Sequence, residues 1–243
     1  MATPLNEDQL NKLRSVDSPT ISNIICMFDI QSPAAGYTNH TIKSIYPELR
    51  PTVGYAVTTT WRTAYEVTRK SKAGNALLAI QESENVPKPF IIVKQDLDSV
   101  PAGALYGEMY VRAVKAFGCT GIVTNGAGRD FEQVRDLGFP CFTSCMLAGR
   151  AYGKCIETGI PVLVGDLAIQ AGDLLHADAN GVVLIPDRIA EAVVDLIDPY
   201  LAAEQVYLDY TSGEDVNQDG IFSSFGETTR RIGELKEKAK AML

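Results

Sequence analysis

The 243-residue sequence predicts a mixed α/β fold, on three observations. Apolar residues make up 46% of the chain and charged residues 21%, the balance of a chain that buries a core rather than one that stays unfolded or forms a coiled coil. Segments with apolar residues at helical spacing alternate with short runs rich in β-branched and aromatic residues. Glycines such as Gly118, Gly138 and Gly172 punctuate the passages between them.

Taken in order, Asp17-Ser18-Pro19 supplies a cap and a first-turn proline for a core-facing helix carrying Ile21, Ile24, Ile25 and Phe28. The run Gly54 to Trp61 reads as a strand, Ala73 to Ile80 as a helix, and Pro89-Phe90-Ile91-Ile92-Val93 as a buried strand. Gly107-Glu108-Met109-Tyr110 opens an amphipathic helix with Val111, Val114 and Phe117, which Gly118 closes. Gly121 to Thr124 follows as a short strand, Gly126-Ala127-Gly128-Arg129-Asp130 as a turn, and Phe131 to Leu137 as a helix ended by Gly138. Pro161 to Val164, Leu167 to Ile169 and Gly181 to Pro186 read as strands, with turns at Gly172-Asp173 and Asp178-Ala179-Asn180-Gly181. Asp187 is placed to cap a long helix carrying Ile189, Ala192, Val193 and Leu196, which Pro199 should interrupt. The polar stretch Thr211 to Gly220 reads as a loop, and Glu227 to Leu243 as a charged terminal helix. The expected division is therefore one α/β domain, residues 1–200, with a helical extension, residues 201–243, packing on the domain or on a neighbouring subunit.

Twenty-two basic against 30 acidic residues give a formal charge of −8, which opposes attachment to phosphate backbones and argues against nucleic acid as a direct ligand. No stretch approaches the ~20 apolar residues of a membrane span. The acidic start, Met1 to Asp8, lacks the features of a secretory signal, so the expected location is cytoplasmic and off the membrane. Five cysteines without a CxxC pair suggest neither a disulfide framework nor a zinc ribbon. Two histidines, His40 and His176, are too few for a His-rich metal site, and His176 reads as structural.

Chemistry concentrates in two places. Asn125-Gly126-Ala127-Gly128-Arg129-Asp130 should lie at the carboxyl end of a strand, where α/β sheets place their ligand crevices. There Arg129 offers a two-pronged fork for a carboxylate and Asp130 a hard oxygen ligand for a divalent cation; the bland alternative is a surface pair with Asp130 capping its own helix. Gly107-Glu108-Met109-Tyr110 opens a helix whose free N–H groups could receive a carboxylate, although Glu108 could equally do no more than stabilise the helix dipole. Trp61-Arg62 could border a cleft or simply pack, and Asp173 and Asp178 read as turn formers.

The ordered series Gly107-Glu108, Gly118, Gly121, Gly126, Arg129-Asp130, Gly138-Phe139-Pro140, Gly172-Asp173, Ala177-Asp178 and Gly181-Val182-Val183 resembles the RraA-like family over about residues 18–186. The resemblance implies an αββα-type sandwich of the swivelling-domain kind, assembled as a homotrimer or homohexamer with sites near subunit boundaries. It implies either a lyase of the 4-hydroxy-4-methyl-2-oxoglutarate aldolase type or a non-catalytic regulator. The lyase takes a small oxo-acid, uses Mg²⁺ or Mn²⁺, releases pyruvate and can decarboxylate oxaloacetate. The regulator binds a protein partner such as a ribonuclease or helicase. By the same resemblance Asp130 matches the direct metal ligand, Arg129 the contact to substrate oxygens, and Glu108 an acid acting on the metal through water. Gly107, Glu108, Met109 and Tyr110 match the substrate-binding turn, with the N–H groups of Met109 and Tyr110 receiving the carboxylate. A second water-mediated acid from a neighbouring subunit is expected at Glu204, or else Glu214. Two positions depart from the aldolase pattern: Asn125 and Gln133 stand where acids are usual.

Overall fold

The computed structural model describes residues 3–67 and 77–243. Its elements are, in order, α1 (Glu7–Arg14), α2 (Ser18–Met27), β1 (Lys43–Ser44), β2 (Thr52–Arg62), α3 (Leu78–Glu82), β3 (Phe90–Asp96), β4 (Ala104–Tyr106), α4 (Glu108–Lys115) and β5 (Cys119–Gly128). The second half adds α5 (Phe131–Asp136), β6 (Cys141–Met146), β7 (Lys154–Thr158), β8 (Val162–Val164), β9 (Leu167–Ile169), β10 (Leu174–Asp178), β11 (Gly181–Ile185), α6 (Ala190–Thr211) and α7 (Gln218–Lys240). Part of the helix expected from Ala73 lies outside the described residues, and Leu78–Glu82 is helical.

One sheet runs β1-β6-β5-β3-β2-β10-β11, with β4 beside β5 and β7 beside β2. Its centre, β6-β5-β3-β2, is parallel, so four strands and β4 point their carboxyl ends the same way. Parallel strands are covered on both faces and read as continuous apolar runs, and β3 shows why. Ile92 packs with Ile24, Val111, Ile122 and Leu196 against the helices, while Ile91 and Val93 point to the opposite face, toward Val123, Val162, Val164 and Ile169. That second face is roofed by the β8–β9 hairpin, whose turn residues Gly165 and Asp166 both take positive φ, as a tight hairpin requires.

Three expectations need correction. The glycine-rich segment is not a turn from Gly126: β5 continues to Gly128, pairing there with both β4 and β6. The glycines serve close packing, since a Cβ on Gly128 would lie 2.3 Å from the Tyr106 ring and one on Gly126 2.7 Å from Leu105. Pro199 does not interrupt α6, which runs unbroken through it and through residue 200. A proline inside a helix costs about 3 kcal/mol, and the buried stripe Val193, Leu196, Ile197, Tyr200 and Ala203 anchors both halves against the core strongly enough to offset it. The expected loop shrinks to residues 212–217, because α6 reaches Thr211 and Asn217 caps α7 by accepting the Gly220 N–H. No helix among the described residues is long and apolar enough to cross a membrane.

The polar turn formers behave as the sequence suggested. Asp173 accepts the Gln170 N–H at 2.7 Å, and buried His176 places Nε2 3.1 Å from the Leu13 and Val16 carbonyls. Asp178 accepts N–H groups of Ser18 and Asn180, each at 2.7 Å, as well as the Ser18 hydroxyl, tying α2 to the β10–β11 turn. Burial pushes its carboxyl up, but these hydrogen bonds outweigh burial and hold it below its usual 3.8. A depressed carboxyl stabilises the fold above its unfolded pKa and loses that contribution as pH falls through the folded one. The stability gap between wild type and Asp178→Asn in urea titrations is thus expected to be full above about pH 4 and to close below it; a gap independent of pH would contradict this tie.

Candidate active site

The site begins where β4 and β5 end side by side. Tyr106, the last residue of β4, accepts the Arg129 N–H through its carbonyl at 3.1 Å, so the residue after each strand faces the other. Asp130 turns the chain in the left-handed region, φ 57° and ψ 50°, which an aspartate tolerates better than most residues. It does not cap its own helix α5. Its Oδ2 instead accepts the Glu108 N–H of α4 at 2.9 Å, across 22 residues of sequence. Gly107 makes this approach possible, because a Cβ there would stand 2.4 Å from Asp130 Oδ2 and 3.0 Å from Arg129 Nε. Arg129 Nε lies 3.8 Å from the same oxygen, with both side chains partly exposed.

These groups open on a cleft of about 760 Å³ whose walls include Trp61, Leu105, Tyr110, Arg129, Arg150 and Tyr152. The N–H groups of Met109 and Tyr110, second and third in α4, have no partner among the described residues and belong to the donors that every helix leaves open at its start. Met109 sits at the cleft with 86% of its surface exposed, so its side chain is not what holds it there. Two guanidinium groups and a helix N-terminus beside one aspartate give the cleft a local excess of positive charge, chemistry suited to an anion.

Behind the wall lies Lys94 on β3, fully buried. Its Nζ donates to the Leu105 carbonyl at 2.8 Å and sits 3.5 Å from the Tyr110 ring centre and 4.3 Å from that of Trp61. Burial lowers its pKa to about 7, with no carboxylate in an ion pair with it among the described residues.

The other expected residues are dispersed. The Glu108 carboxylate binds Arg112 one turn along α4, at 2.9 Å from Nε and 2.8 Å from Nη2. Glu204 accepts the Tyr200 hydroxyl at 2.7 Å on α6 and does not line the cleft of its own chain, and Glu214 is exposed between α6 and α7. Trp61 does border the cleft, its indole N–H held by Thr59, whereas Arg62 turns to Asp98. No cluster of three His, Cys, Asp or Glu able to hold a metal occurs among the described residues. A magnesium-type ion keeps several waters and needs only one or two carboxylates, and Asp130, partly exposed with one oxygen left after its bond to Glu108, fits that demand. Sequence reasoning missed Arg150, Tyr152 and Lys94. The first two follow β6, the parallel neighbour of β5, so the strand-end rule applied to Asp130 would have found them; Lys94 was signalled by a charge ending an apolar run.

Comparison with known proteins places the chain. Residues 18–184 match the family model described as "RraA-like: Aldolase/RraA". Protein DlpA of Legionella pneumophila is 30% identical over 140 residues, which cover 56% of this chain and 22% of that protein. A Halalkalibacterium halodurans protein named "Putative 4-hydroxy-4-methyl-2-oxoglutarate aldolase" is 30% identical over 122 residues, 48% of this chain and 56% of its own. The chain thus spans only part of these relatives. Among solved structures, an uncharacterized protein from Pseudomonas syringae pv. tomato superposes with a TM-score of 0.72 at 20% identity, covering 92% of this chain and 97% of that one. Streptomyces coelicolor RraAS2 gives 0.65 at 24%, covering 83% and 97%. At these identities the likeness is one of fold.

Asn125 and Gln133 now have physical readings. Gln133 lies on the exposed side of α5. Asn125 bridges β5 to β3, accepting the Asp96 N–H at 2.7 Å and donating Nδ2 to the Asp96 carbonyl at 2.9 Å, a pair of bonds that a carboxylate cannot make. Asn125→Asp should therefore cost about 1–3 kcal/mol in denaturant titrations by leaving that carbonyl facing an acceptor. Unchanged stability would show the bridge to be dispensable.

Proposed function

The chain belongs to the RraA-like family, and from that premise we propose that it is a divalent-metal-dependent lyase that cleaves a C–C bond of an anionic 2-oxo acid and releases pyruvate. One observation carries the reading: Arg129 and the start of α4 line a single cleft, and Asp130 is joined to that edge by the bond from Glu108 N–H and by its approach to Arg129. The aldolase name of the Halalkalibacterium relative supports the same class.

The roles follow from the chemistry. The N–H groups of Met109 and Tyr110 receive the carboxylate of the 2-oxo acid, as helix starts do. Breaking the C3–C4 bond of oxaloacetate releases CO₂ and leaves the electron pair in the C2–C3 enolate, whose developing oxygen charge Arg129 is placed to stabilise. For a 4-hydroxy substrate the same bond breaks as the C4 hydroxyl gives up its proton, and the second product is a 2-oxo acid. Either way C3 must then gain a proton, and Glu108, once released from Arg112, is the acid assigned to supply it. Mg²⁺ or Mn²⁺ held by Asp130 would supply Lewis-acid stabilisation of the same negative charge. Trp61, Leu105 and Tyr110 limit water on the apolar wall, and Arg150 with Tyr152 stands ready for a distal carboxylate. Assembly as a trimer or hexamer would let a neighbour's Glu204 or Glu214 complete the acid set.

Incubation with oxaloacetate and Mg²⁺ or Mn²⁺, with and without chelator, tests the reading by pyruvate release. Turnover should need the metal and fall to background in Asp130→Ala. Arg129→Lys should lose roughly 10²-fold in kcat, because a point ammonium cannot reproduce the two-pronged contact. Undiminished activity in chelator sinks the metal dependence, whereas no turnover on any oxo-acid offered sinks the lyase and leaves the protein-binding regulator as the reading to pursue. Gly107→Ala separates geometry from chemistry: it removes no functional group, yet by displacing Asp130 and Arg129 it should lower kcat/KM by at least about 10-fold. Full activity in that variant would show that the close approach of Gly107 to Asp130 is unimportant.

A further inference from the structure

We infer that Lys94 is a second charge of the cleft, taking up a proton when an anion occupies the α4 N-terminus, and so a positioning residue for bound substrate. The inference rests on the anion-binding role proposed for that terminus. Three residues touched by the Lys94 ammonium, Trp61, Leu105 and Tyr110, are themselves cleft wall. Tyr110 contributes to both sides at once: its ring faces Nζ at 3.5 Å, and its N–H is one of the open donors. A buried lysine without a carboxylate is neutral or charged according to what lies near it, and an anion across one layer of side chains favours the charged form.

The neighbours leave Lys94 as the group that responds. Cys119 on β5 and Cys155 on β7 are pushed up by burial to about 12 and about 11, and Tyr110 on α4 is raised well above 10, so all three stay neutral near pH 7. Trp61 on β2 and the Leu105 carbonyl on β4 do not titrate. Asp96, two residues along β3, is occupied by the Thr63 hydroxyl and the Asp98 N–H. Burial lowers Lys94 itself to about 7, against a smaller upward pull from Cys155 and Cys119. The ring faces and the carbonyl then hold the ammonium once it forms, which presses Tyr110 and β4 into the arrangement that presents the α4 donors.

Oxalate, a dianion resembling the pyruvoyl head, is the probe, titrated calorimetrically in EDTA at pH 7.5 in buffers of different ionisation heat. With its pKa lowered to about 7, Lys94 is largely the neutral amine there, so binding should draw a measurable fraction of a proton per chain from the buffer. Uptake should fade below about pH 6, where Lys94 is already charged. Lys94→Arg, permanently charged, and Lys94→Met, permanently neutral, should both bind oxalate with no uptake, the Met variant more weakly by roughly 10-fold. Undiminished uptake in either variant, no uptake in the wild type, or uptake unchanged at pH 6 overturns the inference, and the wild-type pH series decides even if neither variant folds. Metal-dependent pyruvate release without such uptake removes this inference alone; failure of both removes the lyase reading as well.

Discussion

One hydrogen bond organises the site: the Glu108 N–H donating to Asp130 Oδ2. It joins the start of α4 to the turn that follows β5, and several otherwise unrelated features exist to permit it. Asp130 adopts a left-handed backbone conformation that directs its carboxylate sideways to α4 instead of along α5. Gly107 has no Cβ where one would collide with that carboxylate. β4 and β5 must end in register, which the bond from Arg129 N–H to the Tyr106 carbonyl secures. The bond also answers one of the open donors of α4 with a negative charge, so the helix terminus stabilises the aspartate that lies across it.

The sheet supplies the rigidity this arrangement needs. β5 is hydrogen-bonded to β3, β4 and β6, and Ile122 and Val123 are buried on its two faces. The turn therefore leaves a strand held on both edges. Asn125, three residues before Gly128, ties β5 again to β3 through both ends of its amide. Charged partners thus stand on a stiff platform, and the loops that complete the cleft, at Arg150 and Tyr152, leave the adjacent strand β6.

How much of this the sequence disclosed depended on distance along the chain. Alternating periodicities made the α/β class readable, and the local clustering of Gly107-Glu108 and Arg129-Asp130 marked both halves of the site. Their meeting was not readable, because it depends on β4 lying beside β5, a pairing that three residues, Ala104–Tyr106, barely announce. The same cause hid the strand character of Gly126 to Gly128: glycine is a poor strand former until a neighbouring tyrosine needs the space. Pro199 misled in the opposite direction, since local propensity says break while the buried stripe of α6 is long enough to override it. Arg150 stood apart from both marked clusters, and the parallel pairing of β5 with β6 brings it to Arg129's cleft.

The sign of the charge at the cleft is opposite to that of the molecule. The chain carries a formal charge of −8, yet Arg129, Arg150 and the α4 terminus converge beside the Asp130 carboxylate, with Glu108 paired to Arg112. Acids at positions 125 and 133 would have shifted that balance, but Asn125 is committed to Asp96 and Gln133 faces away on the exposed side of α5. With these side chains so disposed, the cleft carries a local positive field inside an acidic protein. Such a field attracts small anions and loses strength as salt screens it, a consequence of placing two guanidinium groups and a helix start beside one aspartate.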